Sequence, residues 1–226
     1  MSFVVAIDGP AGSGKSSVAK RLARRLSVRY LDTGAIYRAI ALFLDRKSIP
    51  PEDTERLQAA LKGVSIELKG EGVLLDGEDV SSAIRAPRVD EIVSAYSALG
   101  CVREALLELQ RQQRRYGSLV AEGRDVGSVV FPEAPLKFFM TASPEARARR
   151  RYLELQRRGE SISFEEVLSR IHTRDRIDST REIAPLRRPE DAVLVDTSDM
   201  SEDEVLEYLE RRVRSAFEPE RKDVAP

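Results

Sequence analysis

Phe3-Val-Val-Ala-Ile-Asp-Gly-Pro-Ala-Gly-Ser-Gly-Lys-Ser-Ser-Val-Ala-Lys-Arg-Leu22 is the stretch that decides the fold. The apolar run Phe3 to Ile7, stopped by Asp8-Gly9-Pro10, reads as a buried parallel strand. From Lys15 to Leu26, Val18, Leu22 and Leu26 recur at fourfold spacing with Ala19 and Ala23 beside them, which makes one apolar helix face. Between strand and helix, Gly9 to Ser16 fits G-x-x-x-x-G-K-S/T at every fixed position. Glycines let such a loop wrap a phosphate chain with its N–H groups pointing inward, and the helix N-terminus adds a partial positive charge. Gly9, Pro10, Ala11, Gly12, Ser13, Gly14, Lys15, Ser16 and Ser17 are therefore the candidate ATP-binding residues. Lys15 is expected to reach the β- and γ-phosphates, and the Ser16 hydroxyl to hold Mg²⁺. The competing view, a Gly/Ser-rich turn before an ordinary helix, does not require the strand and helix that flank this loop. Asp8 fits two readings, a holder of a Mg²⁺-bound water or a turn residue.

Outward from this unit, strands and helices alternate. Val28 to Leu31, Leu119 to Ala121, Leu136 to Met140 and Ala192 to Val195 read as strands. Ile36 to Leu44 and Val102 to Tyr116 read as helices, and Ser143-Pro144-Glu145 opens an Arg-rich one. Ser163 to His172 and Ser201 to Phe217 are further helices, the last with Ser201 and Glu204 as a capping box, before a frayed tail from Glu218. Ser65 to Leu75 breaks this rhythm, because Lys69-Gly70-Glu71-Gly72 interrupts an apolar run that Asp76-Gly77 follows. It reads as a small antiparallel hairpin or meander inserted among helices. The expected fold is α/β: a phosphate-loop core of five parallel strands with helices on both faces.

Composition narrows the function. A net charge of −1, from 37 basic and 38 acidic residues, gives nucleic-acid binding no support. One cysteine, Cys101, and one histidine, His172, exclude an internal disulfide and a Cys- or His-based metal cluster. Both read as structural or solvent-facing. No run approaches the ~20 apolar residues of a membrane span, and the N-terminal run lacks the basic lead of a signal peptide, so a cytoplasmic protein is expected. Asparagine is absent and 33% of residues are charged, a pattern of heat-adapted proteins that GC-rich codon bias would also produce.

Without asparagine the chain lacks the Asn-Lys-x-Asp segment of guanine-reading GTPases. No strand-end Asp-Glu pair of the motor or transport ATPases follows an apolar strand. A small-molecule kinase remains, beside a nucleotide-binding module without turnover.

Six blocks together are more specific. They are Ile7 to Ser17, Leu31-Asp-Thr-Gly-Ala-Ile-Tyr-Arg38, Val102-Arg-Glu-Ala-Leu-Leu107, Glu122-Gly-Arg-Asp125 with Val129-Val-Phe-Pro132, Thr173-Arg-Asp-Arg176, and Ala184-Pro-Leu186. In this order, across almost the full chain, they resemble the bacterial cytidylate kinases, as does the β insertion near residues 65–80. The resemblance implies ATP-dependent phosphorylation of CMP and dCMP to CDP and dCDP with Mg²⁺, by a cytoplasmic monomer acting on small nucleotides. It implies that Arg38, Arg124 and Arg181 hold the acceptor's phosphate, with Lys15, Arg124 and Arg181 as the catalytic cations. Thr33, Arg103 and Asp125 match the positions around the cytosine, and Ser94, Arg174 and Asp178 those around the sugar. The chemistry is coherent, since cytosine offers N3 and O2 to Arg103 and its 4-amino group to Asp125. UMP, lacking that amino group, should be the weaker acceptor.

The expected organisation is a core of residues 1–32, 101–147 and 183–226, an acceptor lobe of 33–100 and a lid of 148–182. Arg147, Arg149, Arg150 and Arg151 begin the lid. Arg150 is the favoured ATP contact among them, with a solvated helix face as the open alternative.

Overall fold

The computed structural model describes residues 2–217, so the tail expected to fray from Glu218 lies outside the described residues. In chain order the chain forms β1 (Val4–Asp8), α1 (Lys15–Arg25), β2 (Arg29–Asp32), α2 (Thr33–Arg46) and α3 (Glu55–Lys62). Then come β3 (Ile66–Lys69), β4 (Gly72–Leu75), β5 (Glu78–Asp79), α4 (Pro87–Ala98) and α5 (Gly100–Gln112). The second half holds β6 (Leu119–Gly123), β7 (Leu136–Thr141), α6 (Pro144–Arg157), α7 (Phe164–Thr180), β8 (Val193–Asp196) and α8 (Glu202–Phe217).

Among the described residues, five strands pair in the order β2-β6-β1-β7-β8, every pair parallel, as the alternating pattern predicts. The central strand β1 is buried throughout, which is why it reads as an unbroken apolar run. Its side chains part by strict alternation. Val4 and Ala6 join Leu31, Leu119 and Ala121 in the core shared with α2, α4 and α5. Val5 and Ile7 join Val120, Phe138 and the apolar faces of α1 and α8 on the other side. Ser201 and Glu204 form the anticipated capping box at α8, with Ser201 N–H on Glu204 Oε2 at 2.8 Å and Glu204 N–H on Ser201 Oγ at 3.3 Å.

β3, β4 and β5 make an antiparallel meander, with Ile66 opposite Leu75 and Leu75 opposite Glu78. Val73 and Leu75 face inward onto the α2 side of the core. A third cluster, Ala148, Leu155, Val167 and Ile171, packs α6 against α7.

Three elements depart from the sequence reading. α3 and α4 are additional helices. α4 carries Pro87 at its start and buries Val89, Val93 and Tyr96, an i, i+4, i+7 stripe. α7 continues past His172 to Thr180, because its inward face changes from the apolar Val167 and Ile171 to the charged Arg174 and Asp178. The apolar periodicity ends there while the helix does not.

Register places the chemistry. Asp8 at the end of β1 pairs with Gly123 at the end of β6. The phosphate loop thus leaves the sheet beside the Glu122-Gly-Arg-Asp125 segment, at the carboxyl ends of parallel strands where ligands bind in open α/β sheets.

Candidate active site

The loop from Gly9 to Gly14 is held by contacts that only its own sequence permits. Gly9 has φ +152°, and a Cβ there would lie 1.9 Å from the Met140 carbonyl oxygen of β7. Gly12 and Gly14 adopt φ +75° and +85°. Lys15 is buried, and its Nζ donates to the Pro10 carbonyl oxygen at 2.9 Å. Burial and the positive charges of Arg124 and Arg174 pull its pKa down to about 7, against the pull of Glu122. Thr197, at the end of β8, donates to the Ser13 carbonyl oxygen at 3.2 Å and supports the loop from below.

Ser16, the candidate Mg²⁺ residue, donates its hydroxyl to Glu122 Oε1 at 2.6 Å. Glu122 is buried, and burial together with Asp32 raises its pKa. Asp8 takes the turn role. Its two oxygens accept from the Val126 and Gly127 backbone N–H groups at 2.8 and 2.7 Å, fixing the π-turn Val126–Val130 that follows Asp125. Burial raises its pKa to about 6.

A cleft of ≈ 980 Å³ joins this loop to the residues expected to hold the acceptor. Arg38, Arg103, Arg124, Arg174 and Arg181 all line it together with Lys15. Arg124 Nε donates to Asp178 at 2.8 Å, so the charged end of α7 docks on the β6 loop. Arg103 is paired with Asp125, donates to the Ser97 carbonyl oxygen at 3.0 Å and lies over the Tyr37 ring, 5.2 Å from its centroid. Arg181 stands 3.5 Å from the other Asp125 oxygen. Thr33 donates to the Glu122 carbonyl oxygen at 2.8 Å, tying α2 to β6, and buried Ser94 lines the same cleft from α4.

This arrangement gathers more positive charge than it neutralises. Arg174 Nε and Arg181 Nη2 are buried without a hydrogen-bond partner among the described residues. Burial, with Arg124 beside it, lowers Arg174 to about 10. Buried donors without an acceptor cost free energy, which an anion accepting from them would offset.

The four arginines in the first half of α6 divide. Arg147 turns inward, donating to the Ala142 and Ala11 carbonyl oxygens at 2.9 and 3.1 Å and to Asp175 at 2.6 Å. Arg149 points to solvent. Arg150 reaches Thr197 Oγ1 at 3.1 Å beside the phosphate loop, and Arg151 binds Asp90 and Glu154.

A family model described as cytidylate kinase matches residues 5–215 of the chain. The chain belongs to the cytidylate kinase family. It is 50% identical over 214 residues to a cytidylate kinase of Caldanaerobacter subterraneus subsp. tengcongensis, covering 95% of this chain and 96% of that one. To a cytidylate kinase of Mycobacterium avium it is 48% identical over 220 residues, again covering 95% and 96%. An uncharacterized protein of Eubacterium ventriosum superposes with a TM-score of 0.54 at 11% identity, covering 94% of this chain and 99% of that one, a likeness of fold.

Within this cytidylate kinase family member, sequence reasoning gives no role to Glu122, Asp90 or Thr197. Glu122 had a signal, a lone carboxylate ending the apolar run Leu119 to Ala121. Asp90 and Thr197 had none, because their partners are 52 and 184 residues away in the chain.

Proposed function

We infer that the chain transfers the γ-phosphoryl group of ATP to CMP and dCMP, giving ADP with CDP or dCDP. The observation that carries this reading is the buried Arg103–Asp125 pair in the same cleft as Lys15. A fixed cationic donor beside a fixed anionic acceptor suits cytosine, whose O2 and N3 accept while its 4-amino group donates. Uracil would leave Asp125 facing O4, a mismatch of about 1–3 kcal/mol.

In this reading Arg38, Arg124 and Arg181 hold the acceptor's phosphate, and Ser94, Arg174 and Asp178 meet its sugar. The loop amides and Lys15 hold the ATP phosphates, with Arg150 on the same side. Residues 33–100 act as the acceptor lobe and 148–182 as the lid, and their closure keeps out water that would otherwise take the phosphoryl group. The acceptor phosphate is already ionised, so no protein base is needed. The cationic side chains align two anionic chains and neutralise the charge that their approach builds.

Mg²⁺ fits this site. Ser16 and Glu122 supply neighbouring hard oxygen donors, hydrogen-bonded at 2.6 Å, of the kind this ion takes alongside phosphates and waters. Ser16 would hold it, and the ion would neutralise β- and γ-phosphate oxygens.

Coupled measurement of ADP formation with CMP, dCMP, UMP and AMP tests the reading. CMP and dCMP should be the best acceptors. ADP release with AMP or UMP in clear preference to both, or ATP binding without ADP from any acceptor, would overturn it.

A further inference from the structure

Asp90 stands in the first turn of α4, outside every block that carries the family resemblance. Its Oδ1 accepts from Arg38 of α2, and its Oδ2 accepts from Arg151 of α6. One carboxylate thus bridges two guanidinium groups, one on the acceptor lobe and one on the lid. The three side chains are 15% (Arg38), 21% (Asp90) and 28% (Arg151) exposed, so solvent screens them only in part. Burial pushes the Asp90 carboxyl up, yet Arg38 and Arg151 outweigh it and hold the group below the ordinary carboxylate range. A second carboxylate on the next residue, Glu91, reaches Arg170 of α7 at 3.6 Å.

Two oxygens of one anion spread over two arginine forks is the arrangement that a phosphate group offers. We propose that Asp90 is an internal stand-in for the acceptor's phosphate: it holds Arg38 and Arg151 and is displaced from them by the acceptor. This rests on the reading that Arg38 holds that phosphate.

The consequence is selectivity. Every phosphate entering at Arg38 competes with a tethered carboxylate. A nucleotide offsets that competition with its base and sugar contacts, whereas orthophosphate has none and is kept out. Displacement also releases Arg151, the carboxylate's tie from α4 to α6, and leaves the Glu91–Arg170 contact between α4 and α7 in place. Asp90 is a positioning residue in this scheme, because it acts through two arginines and touches no reacting atom.

The test compares Asp90→Asn and Asp90→Glu with the unaltered chain. In Asp90→Asn the KM for CMP should fall about fivefold, and orthophosphate should inhibit at about fivefold lower concentration. The KM for ATP and the binding of cytidine, which carries no phosphate, should stay unchanged, and kcat should not rise. Asp90→Glu keeps the charge and should restore weak orthophosphate inhibition. A merely structural Asp90 would move these the other way: a raised KM for CMP, or unchanged orthophosphate inhibition in Asp90→Asn, overturns the proposal. Arg38→Met separates the two levels. If it leaves CMP and orthophosphate unaffected, the phosphate assignment falls and takes the stand-in with it. If it impairs both while Asp90→Asn gives the wrong sign, the stand-in alone is lost.

Discussion

Lys15 donates its ammonium to the carbonyl oxygen of Pro10, 2.9 Å away inside its own loop, while Arg124 and Arg174 repel it from across the cleft. A buried lysine in that setting destabilises the empty protein. Its pKa falls from 10.5 to about 7, so below pH 7 the folded state carries the full penalty of an unwanted charge. Between about pH 7 and 10.5 the unfolded chain binds more protons than the folded one, and this group's contribution to stability rises with pH.

Lys15→Met should therefore melt higher than the parent at pH 6 without nucleotide, with the gap closing toward pH 10. In a chain of this size each kcal/mol moves the melting temperature by about 2–4 °C. The same substitution should lower kcat by about a hundredfold or more, since the proposed reaction uses Lys15 to neutralise charge in the transition state. Thermal melts across pH, alongside turnover, check both. A variant that melts lower at pH 6 would contradict the burial argument.

Arg103 and Asp125 form a buried pair, and each is the other's principal counterion. Arg103→Met should lower kcat/KM for CMP by about a hundredfold, with the KM for ATP nearly unchanged. It also takes from Asp125 its nearer counterion and leaves only Arg181 at 3.5 Å, a loss of up to about 3–5 kcal/mol. The double variant Arg103→Met with Asp125→Asn should recover much of that stability and none of the CMP use. Denaturant unfolding and steady-state kinetics separate the two effects.

The parts of this protein that are legible in sequence are those whose signal is local. The strand, glycine loop and helix around Lys15 lie within one short run, so their periods and turn residues can be read directly. The five arginines of the cleft are different. Among thirty arginines they are indistinguishable by composition, and only their place within the family blocks, or for Arg181 between the last two, singles them out. The end of α7 was hidden because Arg174 and Asp178 put charge on the inward face of the helix, where periodicity looks for apolar residues. Glu122 was visible as a strand-end carboxylate, but its partner Ser16 lies 106 residues away, so its environment exists only after the sheet has formed. Asp90 shows the same limit, because its meaning lies wholly in the two guanidinium groups that the fold brings to it.

Gly9 should tolerate no side chain. A Cβ placed there would meet the Met140 carbonyl oxygen at 1.9 Å, on backbone that a β7 strand pairing holds in place. Gly9→Ala should weaken ATP binding by at least tenfold while leaving the sheet intact. Calorimetric titration with ATP, beside a circular dichroism spectrum, measures the two independently.

Asp8 gives the last prediction, and it separates the two roles that its sequence position allowed. Its carboxylate accepts from Val126 and Gly127, directly after the Arg124-Asp125 pair that enters the cleft. Removing it strands two buried N–H donors at about 1–3 kcal/mol each. Asp8→Ala should therefore unfold at markedly lower denaturant concentration, and its KM for CMP should rise as Arg124 and Asp125 lose their anchor. Asp8→Asn keeps one acceptor oxygen and should lie between. Burial raises Asp8 from 3.8 to about 6, so from pH 3.8 to 6 the folded state binds the extra proton. This group's share of stability then declines as pH climbs through that window, and Asp8→Asn should flatten the slope. If Asp8→Ala instead kept its stability and lost only its response to Mg²⁺, the carboxylate would be serving the ion and not the turn.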